Sequence, residues 1–227
     1  SKTVISFVNP EIILDATKNE MLNKYLNTIT ERNFIDGVGI LIFKALFGNS
    51  MGPRNTGTDY MLELCKISEV ENKKIFFLGG APGVGENAKV KFKELHPNSN
   101  IVGVHHGYFS IDEESEIISK INSTGTDILV VCIGCPKQEE FIMRNLSLLN
   151  AKLILGNGGA LDYYSGVVVR APKLIQTIGF EWLWRLFQDF NQKRILRQLK
   201  LFEYSLKAFW SELLKKIKSW TEKLNYE

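Results

Sequence analysis

Residues Lys73–Ala88 read KKIFFLGGAPGVGENA, and the fold class turns on this stretch. A short apolar run rich in aromatic and β-branched residues runs into a glycine pair, and an amphipathic pattern follows over Glu86 to Leu95. The same order recurs on both sides. TVISFV precedes a helical pattern from Glu11 to Thr28, NIVGVHHG precedes Asp112 to Asn122, DILVVCIG precedes Gln138 to Leu149, and AKLILGNGG follows. Strand, glycine turn and helix, repeated, predict an α/β fold with a mainly parallel, Rossmann-like sheet and flanking helices. Ligands of such sheets bind beyond the carboxyl ends of the strands. That rule gathers GGAPGVGENA, HHGYF, IGCPKQEE and GNGGALD on one rim.

Gly79, Gly80 and Gly83 give the rim its most phosphate-like feature. Glycines allow close backbone approach, and the following helix presents N–H groups and a positive dipole end to an anion. A plain tight turn is the competing reading. Read from Gly83 the loop also fits G-x-G-x-x-A, the dinucleotide pattern. The acid that pattern expects on the ribose about 20 residues later is missing, since the chain there reads Val104-His105-His106. A nucleotide diphosphate fits better than a nicotinamide cofactor.

Composition narrows the classes further. The 227 residues, 44% hydrophobic, suffice for one large domain or a domain with an appendage. Three cysteines offer no disulfide framework, which points to a reducing compartment. Cys132 and Cys135 in CIGC fit a redox pair or half a metal site. Two packed strand-end thiols are preferred, because no second cysteine pair exists and the three histidines lack ligand spacing. His105 and His106, as strand neighbours, are expected on opposite faces. No metal site and no cofactor are expected. No signal peptide is visible, and no run approaches the ~20 apolar residues of a membrane span.

The net charge of +3 is unevenly placed. Residues 170–227 hold 12 basic against 6 acidic residues, a net of +6, which leaves −3 for residues 1–169 (16 against 19). After Gly179 the composition changes, so the expected division is an α/β catalytic domain over 1–179 and a basic amphipathic helical appendage over 180–227. Trp182, Trp184, Phe187 and Phe190 lie among Arg185, Lys193, Arg194 and Arg197. Leu199, Phe202, Leu206, Phe209, Leu213, Ile217, Trp220 and Leu224 then draw one apolar stripe at steps of three and four. Such a helix lies on its own domain, on a protein partner, or on an anionic membrane, where Trp182, Arg194 and Arg197 are the expected contacts. Nucleic acid is not an expected partner, since no base-reading motif is present and the main domain is slightly acidic.

Asp36 stands in NFIDGVGI, Asn33–Ile40, between an apolar pair and a glycine pair. Asp before Gly is a common turn, and on its own the stretch needs no other reading. Together with NPEI at Asn9–Ile12, RNTGTDYM at Arg54–Met61, FFLGGAPGV at Phe76–Val84, IVGVHHGYF at Ile101–Phe109, PKQE at Pro136–Glu139, GNGGALDYYSG at Gly156–Gly166, and RAP followed by GFEWLWRL over Arg170–Leu186, it makes an ordered set. That set resembles the WecG/TagA/CpsF family of bacterial glycosyltransferases over nearly all of residues 4–200.

The resemblance implies transfer of an N-acetylmannosamine-type sugar from UDP to a polyprenyl-diphosphate-linked N-acetylglucosamine, with inversion and without a required metal. The product would serve teichoic acid or another surface polysaccharide, and the enzyme would work at the inner face of the bacterial membrane. It implies Asp36 as general base, with Asn9, Arg54 and Gln138 in the site and Arg185 brought to the diphosphate by the tail; independently of it, the loop chemistry puts the N–H groups of Gly79, Gly80 and Gly83 at that diphosphate. Two departures stand out. Phe7 occupies a position where relatives carry Thr, and relatives usually have a further strand and helix before the first strand here, so a shortened member or a truncated chain is expected. A nucleotide-sugar-binding module without turnover, or a dinucleotide oxidoreductase, are the alternative activities.

Overall fold

A computed structural model describes residues 2–36, 55–177 and 180–188, together with positions 196, 203, 207, 210, 211 and 215. Arg54, Arg194 and Arg197 lie outside the described residues, as does the side chain of Arg185. Among the described residues one six-stranded sheet forms, with every paired neighbour parallel. Its strands are β1 (Thr3–Val8), β2 (Arg32–Ile35), β3 (Ile75–Gly79), β4 (Ile101–His105), β5 (Ile128–Cys132) and β6 (Leu153–Gly156). Their order across the sheet is β2-β1-β6-β5-β3-β4. The expected α/β architecture is therefore present.

β3 and β5 are buried at every position because helices cover both faces, which is why they read as continuous apolar runs rather than as an alternation. On one face Val4, Val8, Phe76, Leu78, Leu129 and Val131 pack under helices α1 (Pro10–Ala16), α2 (Glu20–Lys24), α5 (Glu114–Ser123) and α6 (Lys137–Asn145). On the other, Ile5, Phe7, Ile75, Phe77 and Val130 pack under α3 (Gly57–Glu71), α4 (Val84–Leu95) and α7 (Ala160–Tyr164). The helices that leave neighbouring strands β3 and β5 thus lie on opposite faces. The carboxyl ends beside such a change of face are the usual ligand position in sheets of this kind.

Two details depart from the sequence reading. The helix expected over Glu11 to Thr28 is broken: Asn19 takes an extended backbone and its Oδ1 accepts the Leu22 N–H at 3.2 Å, so it starts α2 afresh. The last turn, Tyr25–Ile29, is a π-turn. Strand β2 has no apolar run of its own, since Arg32 and Asn33 are exposed and only four residues pair at the sheet edge.

Candidate active site

The first two rim positions come from the parallel register of β1 and β2. Val8 lies opposite Ile35, so the next residues, Asn9 and Asp36, leave adjacent strands side by side. The Asp36 N–H donates to the Val8 carbonyl at 3.0 Å, which extends the ladder one step and holds the acid at the rim, half-buried. Asn9 is extended, and its Oδ1 accepts the Ile12 N–H at 2.9 Å, capping α1 with Pro10 in the first turn. Its Nδ2 has no partner among the described residues. Phe7, two residues earlier on β1, is buried, with its ring centroid 5.7 Å from that of Phe34 and 5.3 Å from that of Tyr60. The departure at this position is thus a core-packing residue beneath the rim.

The third position is a turn. Gly156 ends β6, and the Asn157 N–H donates to the Val131 carbonyl at 2.8 Å. The Asn157 Nδ2 donates to the Gly57 carbonyl at 3.0 Å and clamps the start of α3 to the turn. Only glycine fits at Gly57, because a Cβ there would lie 1.7 Å from Asn157 Oδ1. Thr56 caps α3, its Oγ1 accepting the Asp59 N–H at 3.1 Å and donating to Asp59 Oδ2 at 2.6 Å. Asp59 then pairs with Arg170 at 2.6 Å, and Arg170 reaches Glu181 at 3.5 Å. Burial opposes the Arg170 charge, and Asp59 more than offsets it, so the guanidinium is held above its ordinary pKa. The TGTD, GNGG and RAP segments are one braced corner, although about 100 residues separate their members.

Gln138 is not an open rim amide. It is 2% exposed at the start of α6, its Oε1 accepting the Gly158 N–H at 2.9 Å and its Nε2 donating to Glu139 at 2.8 Å. Its amide therefore shapes the Gly158 turn from below.

The glycine cradle lies further along. Gly79 has φ +143°, and a Cβ there would lie 2.2 Å from the Cys132 carbonyl oxygen, so β3 and β5 meet here only through glycine. The Gly80 N–H is spent on the Cys132 carbonyl at 3.1 Å and the Val84 N–H on the Ala81 carbonyl at 3.0 Å. Gly83 caps α4 in a left-handed conformation facing open space, with no atom within 4 Å of an added Cβ. The start of α4 is thus the part of the loop that faces outward, and Glu86 in its first turn already offers the dipole a negative charge. His105 ends β4 and the chain turns at once, so the His105 and His106 rings come together, 4.6 Å apart, rather than to opposite faces.

Cys132 and Cys135 are free thiols, and burial pushes Cys132 up to about 12. It stays a neutral thiol at physiological pH, as a packed strand-end residue should. Among the described residues no group of three or more His, Cys, Asp or Glu is placed to hold a metal ion. No helix among them is long and apolar enough to cross a membrane.

Sequence reasoning missed Asn157, Asp59, Arg170 and Glu139 as parts of the site. Each stood inside a quoted motif, but one sequence carries no signal that pairs residues so far apart.

A parallel sheet with a carboxylate and an open helix end on its carboxyl rim is the frame of an α/β transferase or of a nucleotide-binding enzyme. The chain belongs to the Glycosyl transferase WecG/TagA/CpsF family, whose model matches residues 1–218, and it is a glycosyltransferase. It is 31% identical over 200 residues to the N-acetylglucosaminyldiphosphoundecaprenol N-acetyl-beta-D-mannosaminyltransferase of Staphylococcus aureus strain MRSA252, a match covering 87% of this chain and 77% of that one. It is 30% identical, with the same coverage, to the protein of that name from strain MW2.

Proposed function

We propose that the chain transfers an N-acetylmannosamine-type sugar, with inversion, from a UDP donor to a polyprenyl-diphosphate-linked N-acetylglucosamine. The names of the relatives supply the sugar and the acceptor. The observation that carries the reading is the layout of the rim. Asp36 and Asn9 stand at one end, and the open start of α4 stands beyond β6 and β5. From β1 to β3 is three strand spacings, roughly 14 Å at ~4.8 Å each, room for a diphosphate and a sugar between base and cradle.

In the proposed reaction the acceptor hydroxyl attacks the anomeric carbon, the bond to the UDP oxygen breaks on the opposite face, and the hydroxyl proton passes to the Asp36 carboxylate. The UDP leaves as an anion. Its charge is met by the α4 N-terminus and by Arg54, adjacent in sequence to Asn55, with Arg185 brought in by the tail. Asn9 orients the sugar through its Nδ2, and Gln138 acts through the Gly158 turn.

The division at 179/180 belongs to the same reading: residues 180–227 form an appendage that rests on the inner face of the membrane, where the lipid acceptor is held. Phe180, Trp182, Phe187, Leu196 and Trp210 are all exposed large apolar side chains, as a lipid-facing surface requires.

The test is release of UDP from UDP-N-acetylmannosamine in the presence of a diphosphate-lipid-linked N-acetylglucosamine, with the disaccharide-lipid product identified by mass spectrometry. Transfer from this donor in preference to other UDP-hexoses supports the proposal. UDP binding without product from any donor would leave only a nucleotide-sugar-binding module.

A further inference from the structure

Beneath the Gly158 turn lies a buried polar cluster that the proposed reaction does not use. Glu139 is fully buried, and its Oε1 accepts from Gln138 Nε2 at 2.8 Å. Its Oε2, the Tyr25 hydroxyl and the Ser6 hydroxyl are all buried without a hydrogen-bond partner. They come from three elements that meet at one point. Ser6 is paired across the ladder with Gly156, and a Cβ on Gly156 would lie 3.3 Å from Gln138 Nε2 and 3.5 Å from the Tyr25 hydroxyl. Cys135 approaches the same carboxyl from the turn before α6, and Glu140 adds its negative charge from the helix.

Buried polar groups are costly unless satisfied, so a cluster retained in an otherwise apolar core needs a reason. Here the chain Glu139–Gln138–Gly158 ends at the rim. Rotation of the Gln138 amide by half a turn would set its NH₂ against the Gly158 N–H, donor against donor. Glu139, by accepting from Nε2, forbids that flip.

We propose that Glu139 is a positioning residue of the transferase site, fixing the orientation of the Gln138 amide and through it the Gly156–Gly159 turn. The inference rests on the rim being the transfer site, but its structural half does not. Burial holds the Glu139 carboxyl above the usual carboxylate range, while its Oε1 accepts from Gln138.

The experiment compares wild type, Glu139→Gln and Glu139→Leu by amide hydrogen exchange at Gly158 and by steady-state transfer. Gln keeps an acceptor and a donor in place, so its Gly158 protection and its kcat stay within about twofold of wild type. Leu removes the acceptor, so Gly158 exchanges at least ~10-fold faster, the size expected for one lost net hydrogen bond. Its kcat falls at least as much, while the acceptor KM moves less. If Glu139→Leu does not fold, Glu139→Asp, which draws the carboxyl back by one methylene, is read in its place. Unchanged Gly158 exchange in the Leu or Asp variant overturns the proposal, as does a Gln variant that fails as badly as Leu. Exchange is read without substrate, so loss of Gly158 protection in a chain that transfers no sugar would sink the transferase reading and leave the positioning network standing.

Discussion

Asp36 owes its place to one backbone bond and one register. Its N–H continues the β1–β2 ladder past Val8, so the side chain leaves the sheet beside Asn9 at a half-buried rim position. Asp36→Asn keeps shape and backbone bonding and loses the proton acceptor. The expected result is unchanged unfolding and UDP affinity with turnover lowered at least ~10²-fold, the low end for a positioned general base. Near-normal turnover would return Asp36 to a turn residue. Glu139 makes a separate prediction about pH. Its native pKa lies above the ordinary 4.5, because burial disfavours the charge. The native state therefore holds a proton that the unfolded chain releases, and this contribution is full below 4.5 and is lost as pH rises toward the native value. Glu139→Gln has no such slope. Denaturant unfolding of both proteins at about pH 5 and about pH 8 should show wild type losing ground to the variant at the higher pH, and a constant difference would mean that Glu139 is charged throughout.

At the scale of elements, the glycine loop between β3 and α4 is built for contact before it is built for binding. Gly79 lets β3 and β5 close on each other, Gly80 spends its N–H on β5, and only the start of α4 faces outward. Gly79→Ala should therefore cost about 3 kcal/mol, from a left-sided φ and from the clash with the Cys132 carbonyl. Gly83→Ala should cost less, about 1 kcal/mol, since its Cβ meets open space and only the backbone conformation is strained. Urea midpoints of the two variants check the order, and the reverse order would place the strain in the cap rather than at the strand contact. The same logic explains why the long helical pattern of residues 11–28 divides. Asn19 bonds the backbone of the next turn better as a cap than as a helix interior residue.

For the molecule as a whole, the question is how the tail is held. Trp184 Nε1 donates to the Val169 carbonyl at 3.1 Å, Gln188 bonds both backbone groups of Val169, and Glu181 meets Arg170, so helix α9 (Glu181–Gln188) is tied to the strand of chain that leaves the rim. Trp182 and Phe187, on the same helix, stay exposed. The proposed membrane contact predicts that the full chain co-sediments with anionic vesicles and that binding weakens as salt rises, since each basic residue near such a surface contributes about 1 kcal/mol through a screened attraction. A chain ending near Gly179 should remain folded and stay in the supernatant. Equal sedimentation of both chains would remove the tail from the membrane reading. A truncated chain that loses its fold would instead assign the apolar stripe to the domain.

The linear pattern was sufficient for the strands other than the edge strand β2, whose Arg32 and Asn33 are exposed. Runs such as IFFLG and ILVVC are apolar throughout because both faces of a parallel sheet are covered, and glycine closes them where the chain must turn, so strand positions, fold class and the membership of the rim follow from local composition. The ordered motifs likewise named Asp36, Asn9 and the glycines, which follow strands at two separated places on the sheet. What local composition does not contain is partnership. That Asn157 clamps Gly57, that Arg170 joins Asp59 to Glu181, and that the Gln138 amide accepts from Gly158 are contacts between segments brought together only when helices pack on opposite faces of the sheet. A hydrogen bond or ion pair depends on distance and burial, and neither quantity exists until the tertiary structure has set both.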